Sequence, residues 1–314
     1  MSKWLALATA GVLAFGVAAC GDDGSESTAS GGNGGGDLSG AVKIDGSSTV
    51  GPFAQAAAEQ FQGENPNVQI SVGTSGTGGG FEKFCAGETD ISDASRPIKA
   101  DEEVPICKRN GIGFQEITVA NDGIAVVTNK DLEIDCMTTE QLEQLWNAGS
   151  KVTNYSQLDP SFPDVEVSLY GPGTDSGTFD FFTEAINGEE GVSRKEYQPS
   201  EDDNILVQGV EGDEGGLGYF GFSYYEQNQD KLNLVGVDAG DGCVKPSLEA
   251  IQDGSYKPLS RPIFMYPSEQ ALAEKPQVKG FMEYTIDNAD AIATAAQIVP
   301  LTAAQIEKAR RQLR

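Results

Sequence analysis

Three short stretches combine glycine with hydroxyl side chains in a way that suits the binding of an oxyanion. They are Gly46-Ser47-Ser48-Thr49-Val50-Gly51, Gly76-Thr77-Gly78-Gly79-Gly80 and Asp175-Ser176-Gly177-Thr178. Each follows an apolar run and leads into a helical pattern, so each sets its residues at a helix N-terminus. Backbone N–H groups there lack intrahelical partners and carry partial positive charge. Glycine lets that backbone approach an anion closely, while Ser and Thr add hydroxyl donors. One such loop is an ordinary helix cap. Three of them, drawn from both halves of the chain, form a cage for a tetrahedral oxyanion once the fold brings them together.

The residues for bond-breaking chemistry are missing. The chain has no histidine, so Asp175-Ser176-Gly177 has no base to make it a nucleophile turn, and no SxxK sequence offers a lysine instead. A metal hydrolase would have carboxylates alone to work with. GTGGGF at 76–81 is not followed by a phosphate-holding lysine, and no GxxxxGK[ST] run occurs. This argues against nucleotide binding. Without histidine or CxxC spacing a zinc site is also disfavoured. No cofactor is expected.

The elements that position the loops repeat as strand, glycine-rich turn and helix. Val42–Ile44 reads as a strand, and a helix follows over 53–61 with Pro52 in its first turn. Val68–Val72 alternates as a second strand, and GTSGTGGG reads as a turn before a short helix over 81–85. Such spacing implies parallel strands with right-handed crossovers. Residues 115–128 read as a strand pair interrupted at Asn121-Asp122-Gly123. Thr138 and Gln141 form a capping box for a helix ending near Trp146. Val165–Tyr170 is a further strand, and GPGTDSGT leads into a helix over 179–186. Strands follow around 217–220, 234–237 and 262–266. Helical segments over 268–286 and 302–313 close the chain, the last capped by Thr302 and Gln305.

The N-terminus predicts export. Lys3 precedes an apolar stretch over 4–17, and Val17-Ala18-Ala19-Cys20 has the form of a bacterial lipoprotein cleavage site at which Cys20 is acylated. Residues 1–19 read as the signal peptide and 20–37 as a flexible tether with nothing to bury. About 280 residues remain, enough for two α/β domains. With 21 Lys+Arg against 48 Asp+Glu the net charge is −27, which argues against nucleic acid and against anionic lipid as partners. An anionic ligand would also be repelled at long range, so short-range dipoles and hydrogen bonds must capture it where salt screens beyond roughly 10 Å. Besides Cys20 the chain carries Cys85, Cys107, Cys136 and Cys243. An even number in an exported chain suggests two disulfides, with three pairings open.

In combination, DGSSTVGPF, GTSGTGGGFEKFCAGETDISDASRPI, GPGTDSGTFDFF, GGLGYFGFSYY and PLSRPIFMY resemble the PstS family, the phosphate-binding proteins of phosphate ABC importers. The resemblance runs from about residue 41 to the C-terminus. It implies an α/β fold of the type II periplasmic binding protein kind: two lobes of mixed, mostly parallel sheet flanked by helices, joined by two hinge strands. Lobe 1 would comprise 38–119 plus 260–314 and lobe 2 would comprise 120–259, with hinges near 118–123 and 261–264. That layout implies the pairings Cys85–Cys107 and Cys136–Cys243, one within each lobe, which leave the hinge free.

By position, the resemblance makes Thr49 a hydroxyl donor and Val50 a backbone donor, with Ser48 adjacent. It likewise assigns Thr77 in the second loop and Ser176, Gly177 and Thr178 in the third. Two departures stand out. One branch of the family has an aspartate where this chain has Ser95, and an arginine where it has Pro172. Arg96, beside Ser95, is expected to supply the missing guanidinium. A carboxylate accepting a proton from phosphate would lie among Asp45, Asp93 and Asp175, and the sequence does not choose between them. The expected function is a monomeric, lipid-anchored binding protein on the outer face of the cell membrane. It would deliver inorganic phosphate to membrane permease subunits of an ABC importer. A binder of sulfate or molybdate, and a surface adhesin or sensor of the same fold, are the alternatives.

Overall fold

The computed structural model describes residues 38–313; the expected signal peptide, Cys20 and the tether lie outside the described residues. The first elements are β1 (Gly40–Gly46), α1 (Gly51–Glu64), β2 (Val68–Gly73), α2 (Gly76–Cys85), β3 (Ile91–Ala94) and α3 (Glu103–Arg109). Next come β4 (Ile117–Asn129), β5 (Cys136–Thr138), α4 (Thr139–Trp146), β6 (Ser168–Pro172), α5 (Gly177–Asn187), β7 (Gln198–Ser200) and α6 (Asp203–Gly212). The chain continues through β8 (Gly216–Gly221), α7 (Phe222–Glu226), β9 (Leu232–Asp238), β10 (Cys243–Val244), α8 (Leu248–Gln252) and β11 (Ser260–Pro267). It closes with α9 (Glu269–Glu274), α10 (Pro276–Asp287), α11 (Ala289–Ala295) and α12 (Ala303–Gln312).

The strands run in the order β2-β1-β3-β11-β4-β8-β6-β7, with β9 branching from β4 to meet β5 and β10. Parallel pairing joins β1 to β2 and β3, and β6 to β7 and β8, as strand–helix–strand spacing requires. Antiparallel pairing enters wherever β4 or β11 takes part, and in the β9–β10 ribbon. The sheet is therefore more evenly mixed than the expected mostly parallel arrangement.

β4 corrects the expected interrupted strand pair, because it is one continuous strand. The polar triplet does not break it since β11 lies opposite: Asn121, Asp122 and Gly123 are in register with Pro262, Arg261 and Ser260. From Ile124 onward the same strand pairs with β8 instead. Its side chains change core at the same place. Ile117, Val119 and Ala120 join Phe53, Phe61 and Phe281 in one buried cluster. Ile124 to Val127 join Trp146, Tyr155, Phe182 and Tyr219 in another. In the second cluster Phe182 stacks on Tyr219 with ring centroids 3.7 Å apart, burying large aromatic area.

Two helix boundaries also depart from expectation. Gly76–Gly80 is not a turn but the first part of α2, and the reason is close packing: a Cβ on Gly80 would lie 2.4 Å from the Gly46 Cα. The segment 268–286 is split into α9 and α10 because Pro276 opens the second helix. The Thr138–Gln141 and Thr302–Gln305 capping boxes form at the starts of α4 and α12. Cys85 bonds to Cys107, joining α2 to α3, and Cys136 bonds to Cys243, joining β5 to β10. Among the described residues no helix is long and apolar enough to cross a membrane.

Candidate anion-binding site

The first two glycine-hydroxyl loops end at helices that no side chain caps. Val50 is the N-cap of α1 and Ser75 that of α2, and neither side chain bonds a first-turn N–H. The Val50 side chain is fully buried, so only its backbone is on offer. Ser75 turns instead to Asp45, which Lys83 also holds at 2.7 Å. Burial works to raise the Asp45 pKa, but the bonds from Lys83 and Ser75 outweigh it and the carboxyl is lowered. The first-turn N–H groups of α2 thus keep their partial positive charge, whereas at α1 the Gly51 N–H already donates to the Ser47 carbonyl at 2.9 Å and Pro52 has none to give.

The α2 start and the loop before α1 border a cavity of about 20 Å³ lined by Ser47, Ser48, Thr49, Gly76, Thr77 and Ser95, and Val50, expected as a backbone donor, is not in its wall. That volume has room for a small, compact species. Thr77 Oγ1 and Ser95 Oγ are 2.9 Å apart and share one hydrogen bond, and the Ser95 N–H donates to Thr77 Oγ1 at 3.2 Å. One hydroxyl proton of that pair is left to donate elsewhere. Ser48 donates to Asp180 Oδ2 at 3.1 Å, and Thr49 donates to the Gly177 carbonyl at 3.1 Å.

The guanidinium at this cavity is Arg261 of β11, not Arg96. Arg261 lines it with Nη2 donating to Thr49 Oγ1 at 3.0 Å. It stacks 3.6 Å above the Phe181 ring centroid and pairs with Asp122 at 3.4 Å, its side chain only 14 % exposed. Burial lowers its pKa against the pull of Asp122 and Glu184, and burial likewise raises Asp122 against the pull of Arg261. Arg96 is bound elsewhere. Glu103 takes both ends of its fork, at 3.0 and 2.8 Å, and Pro97 accepts a third bond. A bidentate carboxylate seven residues along the chain outcompetes a cavity position. The hydrogen bonds that Arg96 donates to Glu103 raise its pKa, further fixing its charge there.

The third loop sits beside the cavity rather than in its wall. Ser176 caps α5 by accepting from the Thr178 N–H at 3.2 Å. Ser176, Gly177 and Thr178 line a neighbouring recess of about 260 Å³ with Asp122, Asp175 and Glu201. Gly177 is also pressed on the first loop, where an added Cβ would lie 2.4 Å from both Thr49 N and Oγ1. What α5 gives the cavity is Asp180, Phe181 and Glu184, joined by Glu190 beyond it. Asp180 went unmarked in the sequence, and its place one helical turn after Ser176 is the signal that could have found it. Nothing in sequence marked Glu184, Glu190 or Arg261, although Arg261 lies within PLSRPIFMY.

Of the three aspartates left open by the sequence, none lines this cavity. Asp45 is held by Lys83, and Asp175 faces the recess. Asp93 is fully buried on β3 with neither carboxyl oxygen hydrogen-bonded. Burial, and then the charge of Asp45, push its pKa up to about 8. Among the described residues no cluster of His, Cys, Asp or Glu is arranged to hold a metal.

Known proteins share this arrangement of elements. Residues 25–289 match a family described as a PBP superfamily domain. Protein SphX of Synechococcus elongatus is 47 % identical over 276 residues, covering 87 % of this chain and 81 % of that protein. Phosphate-binding protein PstS of Staphylococcus saprophyticus is 40 % identical over 304 residues, covering 96 % and 91 %. Among solved structures, a possible phosphate binding protein from Planctomyces limnophilus aligns with a TM-score of 0.83 and 42 % identity. That alignment covers 88 % of this chain and 98 % of the other.

Proposed function

This chain belongs to the PstS family of type II periplasmic binding proteins, and we propose that it captures inorganic phosphate outside the cytoplasm for an ABC importer. One observation carries the reading. The uncapped start of α2, the Thr77–Ser95 hydroxyl pair and a buried guanidinium face a single cavity of ion size. A desolvated oxyanion needs both a formal counter-charge and convergent neutral donors. Arg261 supplies the first, and the α2 backbone with the Thr77–Ser95 pair supplies the second. The Ser48 and Thr49 hydroxyls spend their protons on Asp180 and the Gly177 carbonyl and hold the first loop in place. Ser176, Gly177 and Thr178 act one layer out, by bringing α5 against the first loop.

Two lobes, 38–119 with 260–314 and 120–259, are joined by β4 and β11 as the hinge; the Phe53 cluster falls mostly in the first and the Trp146 cluster mostly in the second, although Val299 packs with the latter. The change of core along β4 supports that division. Phosphate draws the lobes together, so binding compacts the protein and raises its melting temperature by mass action. The family consists of solute-binding proteins rather than enzymes. Acylation at Cys20 tethers the monomer to the outer face of the membrane, where it meets the permease subunits. Cys20→Ala should release it from membranes, and unchanged partitioning would refute the anchor.

Calorimetric titration of phosphate-stripped protein with phosphate, sulfate and molybdate tests the ligand. Micromolar or tighter binding of phosphate, with sulfate and molybdate at least about a hundredfold weaker, is the expected outcome. A preference for sulfate or molybdate would overturn it.

A further inference from the structure

Arg261 has to stay largely buried as a cation and still keep donors free for an anion. Among the described residues its guanidinium makes two hydrogen bonds, from Nε to Asp122 at 3.4 Å and from Nη2 to Thr49 Oγ1 at 3.0 Å. A guanidinium carries more N–H donors than those two bonds use, so the remainder are unused. Two contacts leave its plane free to rock about the line that joins them, and rocking swings the unused donors out of the cavity. Phe181 of α5 stops that motion, with its ring centroid 3.6 Å from the Arg261 Cζ. At this separation the two planar groups lie face to face, because an N–H aimed at the ring holds Cζ farther off. Stacking stabilises the charge through the ring quadrupole and uses no N–H. Arg96 shows the alternative: Glu103 takes both ends of its fork, and its Cζ stands 5.7 Å from the Phe81 ring. A carboxylate clamp occupies donors, whereas an aromatic face leaves them open.

We propose that Phe181 is a positioning residue of the anion site, its ring holding the Arg261 guanidinium flat so that the unused N–H groups reach phosphate in the cavity. The inference rests on the phosphate reading and adds to it a residue that gives the ligand no hydrogen bond. Phe181 lines the cavity and is only 5 % exposed. Its place follows from α5. Gly177 and Phe181 are four residues apart in that helix and so share one face. The face that presses Gly177 on Thr49 therefore sets Phe181 over Arg261 one turn later. Phe181 also belongs to the buried cluster of Trp146, Phe182 and Tyr219, which keeps the ring from turning aside. Packing in that cluster alone would make Phe181 matter for stability and not for affinity, and this difference is what an experiment can read.

The test replaces Phe181 alone with phenylalanines carrying one, two and three ring fluorines, which keep the shape of the ring while draining negative charge from its face. Calorimetric titration of the phosphate-stripped proteins with inorganic phosphate reads each variant. Affinity should fall stepwise with each fluorine, by about threefold or more at the third. Phe181→Leu keeps an apolar side chain and loses the aromatic face, so it should bind phosphate about five- to thirtyfold more weakly. In protein labelled at the arginine nitrogens, the Arg261 Nε–H resonance should carry a ring-current shift that Phe181→Leu removes; its loss in Arg261→Met assigns it. A level affinity series with phosphate still bound overturns this inference and leaves the phosphate reading standing. An Nε–H shift unchanged in Phe181→Leu also overturns it. Wild-type protein that binds no phosphate overturns both. The fluorinated series decides the matter even if Phe181→Leu fails to fold, since the shape of the ring is kept.

Discussion

Thr49 Oγ1 donates to the Gly177 carbonyl at 3.1 Å across 128 residues of sequence, while accepting from Arg261 Nη2 at 3.0 Å. That hydroxyl ties the first loop to the third and to β11 at once. The approach depends on Gly177 having no side chain, because a Cβ would meet Thr49 N and Oγ1 at 2.4 Å. Gly177→Ala should therefore hold the loops apart. Overpacking of about 1–3 kcal/mol corresponds to roughly 5- to 150-fold weaker phosphate binding. Titration giving the parent affinity would mean that the contact is dispensable for binding.

The two candidate guanidinium groups make opposite predictions. Arg261→Ala should weaken phosphate binding by about 2–4 kcal/mol, the range for removing a buried charge-assisted partner. Arg96→Ala should stay within about threefold of wild type, since its fork belongs to Glu103. Removing Arg261 alone strands Asp122. The double variant Asp122→Asn/Arg261→Met removes both charges at similar volume, so lost affinity with a retained melting temperature isolates the anion contact. Equal losses from Arg96→Ala and Arg261→Ala would contradict the assignment.

The sequence carried the donors further than the charges. Glycine-hydroxyl loops announce themselves because only certain residues suit a helix start, and Thr49, Thr77 and Ser95 meet at one cavity. Arg96 misled because adjacency to Ser95 says nothing about where a long side chain goes; a glutamate seven residues on decided that. Arg261 was hidden because its role arises from β4 and β11 being in register, a pairing of residues 139 positions apart. The polar triplet at 121–123 read as a break for the same reason, since its partners lie on a distant strand.

Asp93 gives the stability a pH dependence. Its carboxyl holds its proton up to about pH 8 when folded, against an ordinary value of 3.8. Between those values the folded state binds more protons than the unfolded one, so stability falls as pH rises through the window. The favourable contribution is fully present below 3.8 and gone above about 8. Asp93→Asn should flatten the melting temperature between these limits and raise it by a few degrees on the alkaline side. Parallel wild-type and variant profiles would show that Asp93 ionises normally.

The Cys136–Cys243 bond closes a 107-residue separation, and chain entropy assigns it about 3–5 kcal/mol. Cys136→Ala/Cys243→Ala should lower the urea unfolding free energy by that amount. Phosphate affinity should change by less than about threefold, because β5 and β10 do not line the cavity. An unchanged urea midpoint would show that the bridge contributes nothing to folding.

The central claim is that phosphate lies in the cavity between the α1 and α2 starts and Arg261. A crystal structure of the phosphate complex tests it most directly. The account predicts phosphate oxygens within hydrogen-bonding distance of Arg261, of the Thr77–Ser95 pair and of first-turn N–H groups of α2. Phosphate held by Arg96 with Arg261 turned away, or seated in the recess beside Ser176 and Glu201, would contradict it.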